Sequence, residues 1–90
     1  MIDLNKVYMT SGVNEACRRD SQFAQDIVDC LTAYALHDWG ATCQHDWEMN
    51  DQALETKNQI VAKYNTHIND IFIITDPGGE VKTVLFCSEY

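Results

Sequence analysis

The sequence is short of positive charge. Its 90 residues contain six Lys and Arg but 14 Asp and Glu, which gives a formal net charge of −8 at pH 7. Not one Lys or Arg occurs between residues 20 and 56. Nucleic acids and anionic lipid surfaces are bound mainly through Lys and Arg. We therefore expect no direct binding to nucleic acid or to a membrane, and the charge favours a basic protein partner.

Long apolar runs are also missing. The longest aliphatic stretch covers residues 71–74, far below the roughly 18 residues that a membrane-spanning helix needs. The N-terminus lacks the basic start and apolar block of a secretory signal, so we expect a cytoplasmic location. A chain of 90 residues with an apolar share of 46% is typical of one folded domain, which we predict to span residues 1–90.

The cysteines form no C-x-x-C pair. There are four of them, scattered along the chain: Cys17, Cys30, Cys43 and Cys87. Their spacing differs from that of a zinc finger or a zinc ribbon. In a cytoplasmic protein, scattered cysteines are usually reduced and often buried as small apolar residues, so we expect no disulfide framework.

The segment from His37 to Trp47 contains the tripeptide His-Asp-Trp twice. A zinc site in this segment would draw on His37, Cys43 and His45, with Asp38, Asp46 or His67 as the fourth ligand. A thiol enzyme would instead use Cys43 as the nucleophile and His37 or His45 as the base. The spacing matches no known zinc pattern, and the chain has no nucleophile elbow or phosphate-binding glycine loop. We therefore predict no metal, no cofactor and no catalytic residue.

The simpler interpretation of this segment is a junction between two helices. Trp39 is expected to pack at the end of the first helix. Gly40 is expected to stop that helix, because glycine readily takes the left-handed conformation. Trp47 would then anchor the second helix in the core, with Thr42 or a neighbour as its cap.

Hydrophobic periodicity predicts two main helices. The first is indicated by apolar residues at helical spacing: Phe23, Ile27, Leu31 and Tyr34. We expect this helix to begin at a cap formed by Asp20 or Ser21 and to end near Leu36. The second helix is predicted over residues 45–56.

Alternating apolar residues predict strands at both ends of the chain. Residues 6–10 form a short N-terminal strand, and residues 13–19 form a short helical turn with Ser11 or Asn14 as its cap. Three later strands are predicted to form an antiparallel meander: residues 59–64, 70–75 and 81–87. The sequence therefore predicts an α+β fold in which both helices pack on one face of the sheet.

Both faces of the predicted meander are apolar. Pro77-Gly78 predicts a type II turn between the last two strands. One face is expected to carry Ile71, Ile73, Val81 and Leu85. The other is expected to carry Phe72, Ile74, Val84 and Phe86. Because the helices cover only one face, the other must be shielded by the first strand, by the chain ends, by a partner or by a second copy of the chain.

Acidic residues form a pattern on the second helix. Glu48, Asp51 and Glu55 recur at i, i+3 and i+7, so they are expected to form one exposed stripe. Asp26 and Asp29 are expected on the solvent side of the first helix. Such residues form either an ordinary solvated surface or a binding face for a basic partner, and the pattern alone leaves both interpretations open.

Five short motifs recur in order along nearly the whole chain: residues 9–14 (MTSGVN), 38–40 (DWG), 48–54 (EMNDxAL), 73–75 (IIT) and 83–90 (TVLFxSEY), where x is a position outside the motif. Together they resemble a family of small acidic proteins carried on plasmids, conjugative elements and phages of Gram-positive bacteria. The family pattern does not require His37, His45 or Trp47, which weakens a shared metal site. This chain departs from it at Cys87, where the family usually has proline, so the last strand is expected to run slightly longer here. No enzymatic activity comes with the resemblance.

The resemblance and the charge together imply a counter-defence protein. Small acidic proteins on mobile elements often resemble factors that block the nucleic-acid channel of a host defence nuclease, and a CRISPR effector is the leading candidate target. The residues expected to bind it are Asp26, Asp29, Glu48, Asp51 and Glu55. One alternative is a non-catalytic interaction or assembly module, including a homodimer, that uses the apolar sheet face around Phe72 and Phe86. A lesser alternative is the small metal- or thiol-dependent enzyme described above.

Overall fold

Three helices and a four-stranded mixed sheet make up the structure, a computed structural model that describes residues 1–90. The elements follow in the order β1 (Val7–Met9), α1 (Ser11–Arg19), α2 (Ser21–Ala35), α3 (Gln44–Thr56), β2 (Ile60–Tyr64), β3 (Ile71–Thr75) and β4 (Lys82–Phe86). A short 3-10 turn, Cys87–Glu89, follows β4. The predicted α+β class is confirmed. None of the three helices combines the length and the apolar character that spanning a bilayer requires.

The sheet has the strand order β1-β4-β3-β2. Strands β2, β3 and β4 form the predicted antiparallel meander. The predicted type II turn is also present, because Gly78 has a φ of 97° and the Gly79 N–H donates to the Asp76 carbonyl at 3.0 Å. The prediction missed that β1 pairs with β4 in parallel, which makes the sheet four-stranded and mixed. Only the tertiary fold brings these two strands together, since they lie at opposite ends of the chain.

The region predicted as a short helical turn is a full helix of nine residues, α1. Its cap is Thr10, whose hydroxyl oxygen accepts a hydrogen bond from the Val13 N–H at 3.3 Å, rather than Ser11 or Asn14. Arg18 and Arg19 occupy the last turn, where positive charge complements the helix dipole. Sequence periodicity underestimated this helix because Val13 is its only buried residue.

Helix α2 covers one face of the sheet. It begins at the predicted cap, because the Asp20 carboxylate accepts a hydrogen bond from the Phe23 N–H at 3.0 Å, and it ends one residue before Leu36. Its buried side consists of Phe23, Ile27, Cys30, Tyr34 and Ala35. The Phe23 ring stacks on Phe86 with a centroid separation of 5.5 Å. The core combines residues of this side with inward side chains of the strands and with Val13, Trp39 and Ala53.

The strand register assigns the two sheet faces differently from the prediction. Ile71 pairs with Phe86 and Ile73 with Val84, so Val84 and Phe86 lie on the core face and not beside Phe72. The opposite face, here called the open face, carries Tyr8, Val61, Lys63, Phe72, Ile74, Thr83 and Leu85. Alternation within a strand fixes which residues share a face, but the register between strands fixes which sets meet. The residues of this face differ in exposure, since Tyr8 is 59% exposed whereas Ile74 and Leu85 are buried.

The last residues of the chain pack against the sheet and the start of α1. Strand β4 ends at Phe86, so the longer last strand expected from Cys87 is not formed. The Glu89 carboxylate accepts hydrogen bonds from the Phe86 N–H at 2.7 Å and from the Thr10 hydroxyl at 2.9 Å. Tyr90 packs edge-on against Phe72 at 5.3 Å. The chain end therefore shields part of the open face, as one of the sequence alternatives anticipated.

Candidate functional site

The helix junction is formed by the first His-Asp-Trp tripeptide. Helix α2 ends at Ala35, and His37 takes the left-handed conformation with a φ of 64°. The Asp38 N–H donates to the Ala33 carbonyl at 2.9 Å, which is the long hydrogen bond of a Schellman motif. The predicted stop at Gly40 is therefore wrong, and His37 ends the helix.

Gly40 has another role, because it allows the backbone to pass close to β2. Its φ is 61°, and a Cβ at this position would overlap the Tyr64 ring and lie 2.9 Å from the Lys63 carbonyl oxygen. The next residue, Ala41, donates its N–H to that same carbonyl at 2.8 Å. Only glycine combines this backbone conformation with this contact. The segment after α2 is thereby held along the outer edge of the sheet.

Trp39 anchors the junction in the core. Its side chain is fully buried and packs edge-to-face against Tyr34 at 5.3 Å, as expected for a residue at a helix end. The indole N–H donates to a carboxylate oxygen of Asp51 at 2.9 Å. The ring of His37 stacks on the indole at 5.8 Å. This tripeptide therefore joins α2 to α3 through packing and one charge-assisted hydrogen bond.

The outer edge of β2 is closed by side chains. The Asn50 amide donates to the Val61 carbonyl at 2.9 Å and accepts from the Val61 N–H at 3.2 Å. The predicted cap of α3 was Thr42 or a neighbour, and the neighbour Cys43 occupies the cap position but makes no side-chain capping bond. The Thr42 hydroxyl oxygen instead accepts from the Lys63 N–H at 2.8 Å. This edge therefore offers no free backbone groups at Val61 and Lys63 to another strand.

The candidate metal ligands and thiol residues are dispersed. His37 stacks on Trp39, Cys43 is exposed at the start of α3, and His45 is exposed in its first turn. No three His, Cys, Asp or Glu side chains form a group that could hold a metal ion. No hydrogen bond joins the Cys43 thiol to an imidazole. Trp47 is only half-buried, so it packs at the margin of the core rather than anchoring it.

Burial makes three of the four thiols less acidic. It raises the pKa of Cys30 to about 11, with further contributions from the nearby carboxylates of Asp26 and Asp29. It also raises the pKa of Cys17 and of Cys87. All four cysteines are free. Because the thiolate is the nucleophile, these three residues are poorly suited to covalent chemistry near neutral pH.

The predicted acidic pattern on α3 is present. Glu48, Asp51 and Glu55, here called the acidic stripe, are all exposed. Asp51 has a second role, because its carboxylate accepts the indole hydrogen bond described above. Glu48 accepts only a long hydrogen bond of 3.4 Å from Gln44, and Glu55 accepts none. Glu48 and Glu55 are therefore the members of the stripe that are not engaged in the fold.

The two candidate residues on α2, Asp26 and Asp29, also differ in whether they take part in the fold. The Asp26 carboxylate accepts hydrogen bonds from the His67 N–H at 3.1 Å and from the Gln22 amide at 2.9 Å. These bonds, the one from His67 first, lower the pKa of the Asp26 carboxyl. Asp29 is exposed and accepts a hydrogen bond only from Gln25. Asp26 thus fixes the loop between β2 and β3, whereas Asp29 faces solvent.

None of the candidate carboxylates is neutralised by a Lys or Arg of the chain. The ion pairs with Lys and Arg are Lys6–Glu80, Arg18–Glu15, Arg19–Glu15 and Lys63–Asp70. Asp26 and Asp29 lie on α2 and the acidic stripe lies on α3, and these two helices have little direct contact. The candidate carboxylates therefore belong to two separate helices rather than to one surface.

A groove that the sequence did not reveal lies between α3 and β2. It consists of two depressions of about 260 and 360 Å³ that share Asp46 and Val61. The sequence had suggested Asp46 only as a metal ligand. Its i, i+3 relation to Met49 was a usable signal, but the position of β2 beside α3 was needed to show that a groove forms.

Comparison with known proteins found no match: no family model, no curated protein and no solved structure is significantly similar to this chain.

Proposed function

We propose that this protein is an inhibitor that binds a host defence nuclease, with a CRISPR effector as the first candidate, and blocks its nucleic-acid channel with an acidic helical face. The observation that carries the proposal is the absence of any Lys or Arg partner for the candidate carboxylates. Ordinary helix surfaces mix charges of both signs, because oppositely charged neighbours stabilise the helix. The α3 surface lacks such pairs, so the negative charge of its carboxylates remains available to a basic partner.

The charge of such a channel is complementary to this surface. Nuclease channels are lined with Lys and Arg that contact phosphates. The side chains of the acidic stripe recur about once per helical turn, a rise of about 5.4 Å, and are held on a helix that packs against the sheet. The helix backbone that carries these carboxylates is already ordered, so binding requires no folding of α3. The protein would act by occupying the channel, without catalysis, metal or cofactor, in the cytoplasm of a bacterial host.

The five proposed contact residues differ in how far they take part in the fold. Glu48, Glu55 and Asp29 can bind a partner without disturbing the fold, because none of them holds another element in place. Asp26 and Asp51 support the loop between β2 and β3 and the junction, respectively. A charge-reversal variant that includes Asp51 would therefore mix loss of binding with loss of stability. The informative change is confined to Glu48 and Glu55.

The partner can be identified by affinity capture. The tagged protein is expressed in bacteria that carry active CRISPR and restriction systems and is captured at low and at high salt. We expect a basic nuclease subunit to co-purify at low salt and to be released as salt rises. Recovery of the tagged protein alone at both salt concentrations would reject the proposal.

A matched pair of variants tests whether the stripe is responsible. Glu48→Gln with Glu55→Gln removes two negative charges from α3. Glu15→Gln with Glu80→Gln removes the same charge from exposed sites that already pair with Arg or Lys. We expect the first variant to lose capture and to lose inhibition of the nuclease, and the second to retain both. Equal behaviour of the two variants would mean that only net charge matters.

A second candidate function is an interaction or assembly module that uses the open face. The observation in its favour is that Tyr8 on the edge strand β1 is 59% exposed and lies on this face, which also carries the half-buried Phe72 of β3. Phe86 does not contribute, because it packs against Phe23 in the core. Light scattering over a range of concentrations would show self-association through this face. A monomeric mass at every concentration would reject the homodimer.

A further inference from the structure

The groove between α3 and β2 has an apolar floor and one carboxylate at its centre. Its walls are formed by Cys43, Asp46, Met49, Val61 and Phe72. Val61 and Phe72 are half-buried, and the Met49 side chain is 51% exposed, so apolar surface is accessible there. This groove is distinct from the acidic stripe, because Asp46 and Met49 occupy the side of α3 that faces β2.

The Asp46 carboxylate has no partner within the protein. It accepts no hydrogen bond and forms no ion pair, and Asp46 is exposed in the first turn of α3. The only Lys lining the groove is Lys63, and its ammonium is paired with another carboxylate, that of Asp70, at 3.7 Å. His45 lines the far end. The charge at the centre of the groove is therefore negative and uncompensated.

We propose that this groove binds an arginine side chain of the basic partner, an inference that rests on the function proposed above. The apolar stem of the side chain would lie on Met49 and Val61, and the guanidinium would pair with the Asp46 carboxylate. The Phe72 ring lines the same depression as Asp46 and offers an aromatic surface to the cation. Arginine fits better than lysine, because its planar guanidinium both stacks on aromatic rings and pairs with a carboxylate through two N–H groups.

The closed edge of β2 determines the mode of binding. Asn50 and Thr42 already satisfy the outward backbone groups of Val61 and the N–H of Lys63. A partner strand therefore has no ladder to extend at this edge. What remains accessible is a depression between two elements, which accepts a side chain rather than a backbone.

A titration with synthetic peptides tests the proposal on the intact protein. The probes are a nine-residue peptide of alternating Gly and Arg and the same peptide with Lys in place of Arg. Backbone amide shifts in NMR spectra report both the affinity and the location of binding. We expect the Arg peptide to bind more tightly than the Lys peptide and to shift the amides of Asp46, Met49 and Val61. Shifts spread evenly over all acidic surfaces would overturn the proposal.

Two single variants sharpen this test. Asp46→Asn removes the central carboxylate, and Asp76→Asn removes the same charge from an exposed turn that belongs to neither acidic surface. Loss of one charge-assisted pair corresponds to about a tenfold loss of affinity for Asp46→Asn, whereas Asp76→Asn should change affinity less than about twofold. Both residues are free of ion pairs, so the fold should persist, and the amide spectrum verifies this. Equal losses in the two variants would overturn the proposal.

The captured nuclease separates this inference from the proposed function. If Asp46→Asn weakens nuclease binding together with Glu48→Gln and Glu55→Gln, both stand. If only the changes in the stripe weaken binding, the groove proposal fails and the inhibitor proposal stands. If none of these changes affects binding, both fail.

Discussion

The two His-Asp-Trp tripeptides have the same sequence and opposite surroundings. In the first, Trp39 is fully buried, its indole N–H is hydrogen-bonded, and the preceding His37 takes a left-handed backbone conformation. In the second, His45 and Asp46 are exposed and Trp47 is half-buried, with none of the three side chains in a hydrogen bond. The first tripeptide holds the fold together, and the second lines a surface.

The position in the chain causes this difference. The first tripeptide follows the end of α2, where the backbone leaves the helix and turns toward β2, so that its tryptophan is directed into the core. The second tripeptide lies within the first turn of α3, where neighbouring residues point about 100° apart around the axis. Residue type alone therefore does not determine whether a histidine or an aspartate is structural or available for binding.

The largest expected contrast is between the two tryptophans. Trp39→Ala should lower the free energy of unfolding by about 3–5 kcal/mol, because it leaves a cavity and an unpaired Asp51 carboxylate. Trp47→Ala should cost clearly less, since Trp47 is only half-buried. Urea unfolding followed by circular dichroism measures both. Similar losses would contradict the distinction between the tripeptides.

Glycine substitutions next to the first tripeptide give the next contrast. Gly40→Ala should destabilise by about 2–4 kcal/mol, since left-handed strain adds to a clash with Tyr64. The matched control is Gly78→Ala, because Gly78 has a φ of 97° but nothing within 4 Å of the added Cβ. Thermal unfolding of both variants separates the steric part from the conformational part. If Gly78→Ala costs as much, close approach to β2 is not what fixes Gly40.

Alkaline pH should weaken the surroundings of the first tripeptide. Burial raises the pKa of Tyr34, which packs against Trp39, to about 12, above its usual 10. As the pH rises, the Tyr34 hydroxyl loses its proton in the unfolded chain before it does so in the folded protein. The contribution of the protonated hydroxyl to the free energy of unfolding is therefore complete below pH 10 and is lost as the pH rises to about 12. At roughly 1.4 kcal/mol per pH unit, the loss is about 3 kcal/mol. Between pH 8 and 12, the free energy of unfolding should fall more for wild type than for Tyr34→Phe. Parallel curves for the two proteins would contradict the assignment.

The smallest contrast is within the acidic stripe. Asp51→Asn should destabilise by about 1–2 kcal/mol, since a charge-assisted hydrogen bond to the buried Trp39 indole becomes a neutral one. Glu48→Gln, on the exposed side of the same helix, should stay within about 0.5 kcal/mol of wild type. Chemical unfolding of the two variants in parallel makes the comparison. A Glu48→Gln loss as large as that of Asp51→Asn would show that the whole stripe is structural.

Local patterns predicted most of the elements and little of their assembly. The Asp20 cap, the α2 stripe, the three C-terminal strands and the Pro77-Gly78 turn depend on neighbouring residues, and the structure contains each of them. The parallel pairing of β1 with β4 depends on residues more than 70 positions apart, which no local pattern reports. The sheet faces were misassigned for the same reason, because strand register is a tertiary property.

For the candidate site too, the sequence predicted local features and missed the contacts between elements. Helical spacing was sufficient to place Glu48, Asp51 and Glu55 on one exposed side of α3. It could not show that Asp51 also binds Trp39 or that Asp26 holds the loop at His67, because both contacts cross from one element to another. The groove at Asp46 was missed for the same reason. Sequence patterns indicate which side chains are exposed, and the tertiary contacts decide which of them are free.

The most direct test of the central claim is the salt dependence of binding between this protein and the captured nuclease. Affinity is measured at several salt concentrations for wild type and for the variant with Glu48→Gln and Glu55→Gln. We predict that wild-type affinity falls steeply with salt and that the variant binds more weakly with a shallower dependence. The same affinity and the same slope for both proteins would show that the α3 carboxylates do not bind the partner.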